Sequence, residues 1–110
     1  MIDLLRDRRE PIADVCRTFH VRRLEVFGSA ATGVFDTGRS DVDFIVEFGE
    51  DSAQPGLLLR YLALAERLEQ VVGCRVDLLT NRSIRNPYFR ETVDRSREMI
   101  YDDGKGKVSP

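Results

Sequence analysis

The chain has 110 residues and a net charge of −2, and 42% of its residues are hydrophobic and 33% charged. This length suits one domain and hardly two, and the composition excludes an intrinsically disordered chain. The slightly acidic charge argues against a nucleic-acid coat protein, which would carry a basic excess. No apolar run is long enough to span a membrane.

The two cysteines, Cys16 and Cys74, stand apart from each other and from any histidine cluster. Their spacing predicts no zinc site, and each is interpreted as a buried thiol. The charged N-terminus predicts no signal peptide, so we expect a cytoplasmic protein with no membrane contact and no direct nucleic-acid binding. We predict a single domain over residues 1–103 and a flexible, Gly- and Lys-rich tail over residues 104–110.

The first part of the chain predicts a helix, a strand and a second, short helix. Apolar residues recur at helical spacing within Met1–Phe19, and a β-favouring run then ends at Phe27. Gly28 breaks this strand. Ser29 is predicted to be the N-cap of the short helix, which Gly33 ends.

The middle of the chain predicts a central strand followed by a long helix. The segment DVDFIVEF, residues 41–48, is nearly continuous in apolar residues after its second aspartate, which favours a place inside a sheet. Residues 57–72 then predict a helix that Gly73 ends. Its buried face is predicted to comprise Leu58, Tyr61, Leu62, Ala65, Leu68 and Val72.

The last part predicts a third strand, CRVDLLT, and a final helix that begins at Asn86 and Pro87 and runs to about Tyr101. The helix is predicted to be apolar on one face, which carries Phe89, Val93 and Ile100. The order α-β-α-β-α-β-α predicts an α/β or α+β domain, a small sheet flanked by helices.

Two aspartates at the start of the second strand are candidates for a functional site. Asp41 and Asp43 are two apart, so on a strand both side chains point to the same face. Two ionised carboxylates this close repel each other and need an arginine, a shared proton or a cation. Oxygen ligands of this kind suit a hard cation such as Mg²⁺.

The turn before them predicts an anion site. Gly28 lets the backbone approach a ligand, and Ser29 opens a helix whose free N–H groups attract negative charge. Other phosphate motifs are excluded. GSAATG is followed by Val34 and Phe35, where a P-loop needs Lys and Ser or Thr, and the chain has no G-x-G-x-x-G.

Asp77 is the candidate for a third carboxylate of the site. It interrupts the apolar run of the third strand. A carboxylate in such a place needs a partner or a metal ion. A structural ion pair with Arg75 or Arg82 is the alternative.

Together these features resemble the nucleotidyltransferase superfamily that includes DNA polymerase beta, and most closely its minimal nucleotidyltransferase (MNT) branch. The resemblance runs from about Ile12 to Tyr101 and rests on the strand-Gly-Ser-helix turn, the D-x-D pair and the later aspartate. One departure is a spacer between Ser29 and Asp41 that is one residue longer than the family's commonest. The extra residue falls in the loop 32–40.

The resemblance implies a small mixed sheet flanked by helices, the nucleotidyltransferase fold. It also implies that Asp41, Asp43 and Asp77 bind two Mg²⁺ ions, with Asp77 as candidate general base. Gly28 and Ser29 would then hold the β- and γ-phosphates of ATP. Two metal ions can stabilise both the attacking and the leaving oxygen of such a transfer.

The MNT resemblance further implies an antitoxin of a two-gene pair that transfers AMP from ATP to a tyrosine of a HEPN ribonuclease toxin. No segment supplies an acceptor pocket, which favours a partner chain in a homo- or hetero-oligomer. Two alternatives stay open. One is a non-catalytic module that neutralises its partner by binding, and the other is a small-molecule nucleotidyltransferase of the aminoglycoside type.

Overall fold

The computed structural model describes residues 1–33, 41–49 and 56–104. Helices alternate with strands along the chain. The helices are α1 (Asp3–Asp7), α2 (Arg9–Thr18), α3 (Ser29–Thr32), α4 (Leu57–Val72) and α5 (Pro87–Ser96), with a 3-10 turn at Asn81–Ser83. The strands are β1 (Val21–Phe27), β2 (Val42–Phe48), β3 (Val76–Thr80) and β4 (Glu98–Asp102).

The four strands form one mixed sheet in the order β3-β2-β1-β4. β1 is antiparallel to both of its neighbours, whereas β2 and β3 are parallel. The predicted fold class, a small mixed sheet flanked by helices, is confirmed. β2 lies inside the sheet, as its apolar run predicted.

The two faces of the sheet are covered differently. The larger apolar cluster includes Phe44 on β2, Leu78 on β3 and Leu64 on α4, and α2 packs on the same side. The smaller cluster includes Ile45 and, from α5, Val93. Because successive strand residues point to opposite faces, Asp43 and Glu47 lie on the same face as Ile45, which is the face that α5 covers.

The final helix was predicted too long. It ends at Ser96, and the residues that follow form β4, which pairs with β1. No glycine or proline marks this end. Arg97 is extended, at φ −63° and ψ 138°, and Ile100 reaches the larger cluster from a strand. The free edge of β1, which is distant in sequence, provides the pairing that overrides the helical spacing.

The bounds of α4 are confirmed, but its buried face was predicted in part wrongly. Leu64, Leu68 and Val72 are buried, whereas Leu58 and Leu62 are 69% and 54% exposed. Helical periodicity identifies a helix but does not decide which of two apolar stripes the sheet covers.

Other boundaries agree with the sequence. Gly33 and Gly73 end their helices in the left-handed conformation, and Asn86 caps α5. The first predicted helix differs, because it is divided at Arg8 into α1 and α2.

From residue 105 on, the predicted tail lies outside the described residues, as does most of the lengthened loop. In the described ranges, no helix is long and apolar enough to cross a membrane.

Candidate active site

Parallel pairing of β2 with β3 brings two of the predicted carboxylates side by side. Asp43 and Asp77 are partners in the register, followed along the strands by Ile45 and Leu79. Since paired residues of neighbouring strands point to the same face, both carboxylates project from the α5 side. We call Asp43 and Asp77 the acidic pair.

Asp41 adds charge beside this pair. It is exposed and directly precedes β2. The pKa of the Asp43 carboxyl is raised to about 6, first by burial and then by the charges of Asp77 and Asp41. Asp77 and Asp41 therefore both lie within electrostatic reach of Asp43.

The described residues supply no basic partner for the acidic pair. Neither Arg75 nor Arg82 forms an ion pair with Asp77 there, so the structural alternative for that residue gains no support. The same parts of the chain hold no group of three or more acidic, histidine or cysteine side chains arranged to hold a metal ion. What they hold is two paired carboxylates with a third charge nearby.

The turn of Gly28 and Ser29 between β1 and α3, here called the Gly28 turn, lies directly against Asp43. Phe27 is the register partner of Asp43, and Gly28 follows with φ +70° and ψ −147°. A Cβ at Gly28 would lie 2.7 Å from Oδ2 of Asp43. Glycine is therefore required twice, for its positive φ and for the close approach.

Gly28, not Ser29, is the N-cap of α3, so the predicted cap is wrong by one residue. Its carbonyl accepts from the N–H groups of Ala31 and Thr32, and Ser29 is the first helical residue. No side chain caps this helix. Gly28 takes the cap position because its backbone conformation is closed to other residues.

Of the three N–H groups at this turn, one is bonded and two have no acceptor among the described residues. The Gly28 N–H donates to Oγ of Ser96, at 3.0 Å. The N–H groups of Ser29 and Ala30 lie in the first turn of α3 and have no acceptor among the described residues. Ser96 was not singled out from the sequence, because nothing in the spacing of α5 connects it to a turn so distant in the chain.

A second residue that sequence reasoning missed is Tyr61. Its hydroxyl donates to the carbonyl of Leu78, the residue after Asp77. Burial and the charge of Asp77 raise the pKa of the Tyr61 phenol. Its position on the helix predicted that Tyr61 packs against the core. The ring does so, but the helical spacing does not predict the hydrogen bond of the hydroxyl.

The sequence matches a known family over this whole region. Residues 9–100 match the model of the nucleotidyltransferase domain. The chain belongs to this family. It is a nucleotidyltransferase, as the resemblance predicted.

Similar proteins carry names from one branch of this family. A Methanocaldococcus jannaschii protein, MJ1379, whose name assigns it provisionally to the protein adenylyltransferases, is 35% identical over 90% of this chain and 91% of its own length. The protein adenylyltransferase MntA of Thermococcus cleftensis is 36% identical over 76% of each chain.

Solved structures share the fold. One, described provisionally as a minimal nucleotidyltransferase, is 36% identical over 88% of this chain and 95% of its own, with a TM-score of 0.68. Another is tri-AMPylated Shewanella oneidensis HEPN toxin in complex with MNT antitoxin. It matches 89% of this chain and 72% of that chain with a TM-score of 0.59, and at 18% identity it shows the fold alone.

The donor types of this nucleotidyltransferase suit a hard cation. Asp43 and Asp77 offer oxygen ligands on one face, and Asp41 adds charge without a basic partner among the described residues. Mg²⁺ prefers such ligands and is commonly held by one or two carboxylates together with the phosphates of a substrate. A paired site that is completed by a bound nucleotide fits that pattern.

Without metal, the Asp43 carboxyl is expected to lower the stability of the nucleotidyltransferase as the pH rises from about 4 to about 6. The pKa of Asp43 is raised in the folded state. The stabilising contribution is therefore full below the unfolded pKa and is lost above the folded one. Allowing for solvent screening, we expect a loss of about 1–2 kcal/mol in the free energy of unfolding. Urea unfolding in EDTA from about pH 4 to about pH 7 measures it. The profile of Asp43→Asn should be flatter, and equal profiles would contradict the assignment.

Proposed function

We propose that this nucleotidyltransferase transfers AMP from ATP to a tyrosine of a HEPN-type toxin and thereby acts as its antitoxin. The observation that carries the proposal is that Asp43 of the acidic pair lies directly against the Gly28 turn. Two carboxylates on one face lie beside a turn with two N–H groups that have no acceptor among the described residues, which is the combination that a metal-bound triphosphate would need.

The residues have separate roles in this proposal. Asp41, Asp43 and Asp77 would hold Mg²⁺, two ions in all, and the ions would supply charge neutralisation at the phosphates. The turn would hold the β- and γ-phosphates through Ser29. Gly28 would contribute by leaving room, since its own N–H is engaged with Ser96.

The reaction balances without a further reagent. The acceptor oxygen forms a bond to the α-phosphorus, the bond to the bridging oxygen breaks, and pyrophosphate leaves. Asp77 is the candidate to accept the proton of the acceptor hydroxyl, since it is exposed on the same face as Asp43.

The acceptor is inferred from the similar proteins. Two relatives are named as protein adenylyltransferases, and each aligns over most of its own length. The solved complex pairs an MNT antitoxin with an AMP-modified HEPN toxin, and its matched chain has the fold described above. These likenesses support a protein acceptor of the HEPN class rather than a small molecule.

The test is the intact mass of the cognate HEPN-type protein after incubation with this chain, ATP and Mg²⁺. We expect the partner to gain one or more AMP units on tyrosine and to gain none with Asp43→Asn. A partner that stays unmodified, while wild type and Asp43→Asn neutralise it equally in cells, would contradict catalysis and leave a binding module.

A further inference from the structure

The turn that lies against Asp43 is also bonded to the last residue of α5. Oγ of Ser96 accepts from the Gly28 N–H across 68 positions of sequence. We propose that Ser96 is a positioning residue that fixes the Gly28 turn for nucleotide binding. The inference rests on the proposed function, because it takes the turn to be the phosphate site.

The Gly28 N–H needs this acceptor. The residue lies beyond the end of β1, and no backbone carbonyl of the described residues accepts from its N–H. In the part of the chain that the structure describes, Ser96 is the acceptor of this partly buried N–H. A partly buried donor that loses its acceptor is costly, so the bond favours one orientation of the turn.

Ser96 is itself held in place by its neighbour. The guanidinium of Arg97 donates to both carboxylate oxygens of Glu25, at 2.7 and 3.0 Å, and to Oδ1 of Asn81, at 3.3 Å. The side chains of Arg97 and Glu25 are only 22% and 12% exposed. Such forked, charge-assisted bonds are specific in geometry. They tie the end of α5 to β1 and to the segment that follows β3.

The rest of α5 is anchored on the same face. The ring of Phe89 meets that of Phe27 edge-on, with centroids 6.1 Å apart, and Val93 is fully buried. Phe27 is also the residue directly before the turn. The helix therefore contacts β1 along its length and places the Ser96 hydroxyl at the point where β1 ends.

Removing the hydroxyl should loosen the turn without touching the acidic pair. The free N–H groups of Ser29 and Ala30 would then be less well aligned for phosphate. We expect Ser96→Ala to raise the Kd for a fluorescent ATP analogue in Mg²⁺ roughly tenfold, as for the loss of one neutral hydrogen bond. Ser96→Thr, which keeps the hydroxyl, should restore affinity.

The matched control is Thr92→Ala, one turn earlier on α5. The Thr92 hydroxyl donates to the carbonyl of Tyr88 within the helix and is exposed. We expect its Kd to equal that of the wild type. Melting temperatures of all variants show whether the fold is kept. The second variant is Arg97→Lys, which leaves the Ser96 hydroxyl and the positive charge in place but removes the two-pronged bond to Glu25. It should also raise the Kd for the analogue.

The outcomes separate the two proposals. Wild type that binds the analogue, with Ser96→Ala and Arg97→Lys unchanged in affinity, would overturn the role of Ser96 alone. Equal weakening by Thr92→Ala and Ser96→Ala would overturn it as well, because the effect would then be general to α5. Wild type that fails to bind the analogue would overturn the proposed function.

Discussion

Replacing Asp43 with asparagine is expected to remove nucleotidyl transfer while leaving the fold at least as stable as that of the wild type. Asp43 is the member of the acidic pair that faces both Asp77 and the Gly28 turn. Loss of a residue that merely orients a metal ligand costs about 10- to 100-fold in activity or affinity, so loss of a ligand should cost at least about 100-fold.

Stability should respond in the opposite direction, because Asp43 is a like-charged, partly buried carboxyl whose pKa is raised to about 6. An uncharged amide removes the repulsion from Asp77 and Asp41. At neutral pH without metal we therefore expect the free energy of unfolding of the variant to be about 1–2 kcal/mol higher than that of the wild type. Few substitutions in a core strand are stabilising, so this combination separates a functional carboxylate from a structural one.

AMP transfer and urea unfolding on the same preparations check both parts. Asp14→Asn is the matched control, since among the described residues the carboxylate of this exposed α2 residue pairs only with Arg17 on its own helix. It should retain full activity. An Asp43→Asn variant that is active at a rate close to the wild type, or that is strongly destabilised, would contradict the assignment.

Gly28→Ala is the second substitution with a large expected effect. The new Cβ would lie 2.7 Å from Oδ2 of Asp43, in a backbone conformation with φ +70° that favours glycine. Strain of this kind costs about 1–3 kcal/mol, and the carboxylate must also move. A displacement of about 1 Å near reacting groups can cost about 100-fold in rate, so we expect a loss of that order.

Gly33→Ala is the control for backbone strain. Gly33 ends the same short helix with φ +92°, but a Cβ there meets nothing within 4 Å. This variant should lose about 1 kcal/mol of stability from the left-handed conformation and keep its activity. Equal activity losses in the two glycine variants would mean that strain in α3, not contact with Asp43, decides the effect.

Local signals predicted the ends of α3 and α4 and the start of α5. The glycines after α3 and α4 and the Asn86 cap of α5 are these signals, and those boundaries are correct. The end of α5 carries no such signal, and β4 forms because β1 has a free edge. Contacts between distant segments decide where α5 ends and which stripe of α4 is buried. The spacing of apolar residues along the chain carries no information about such contacts.

The same distinction applies to the site. Asp43 and Asp77 could be predicted as neighbours because residue types and strand positions sufficed, and the register places them side by side. The bond of Ser96 to the turn and the bond of the Tyr61 hydroxyl to β3 could not be predicted, since each joins distant segments. The exact distance of Gly28 from Asp43 likewise follows from β1 pairing with β2.

The most direct test of nucleotidyl transfer by this site compares ATP labelled at the α-phosphate with ATP labelled at the γ-phosphate. Each is incubated with Mg²⁺, the wild-type chain and the cognate HEPN-type protein. Attack at the α-phosphorus predicts that the α-label enters the partner, that the γ-label leaves as pyrophosphate, and that Asp43→Asn does neither. Entry of the γ-label into the partner, or equal α-label incorporation by Asp43→Asn, would contradict the account.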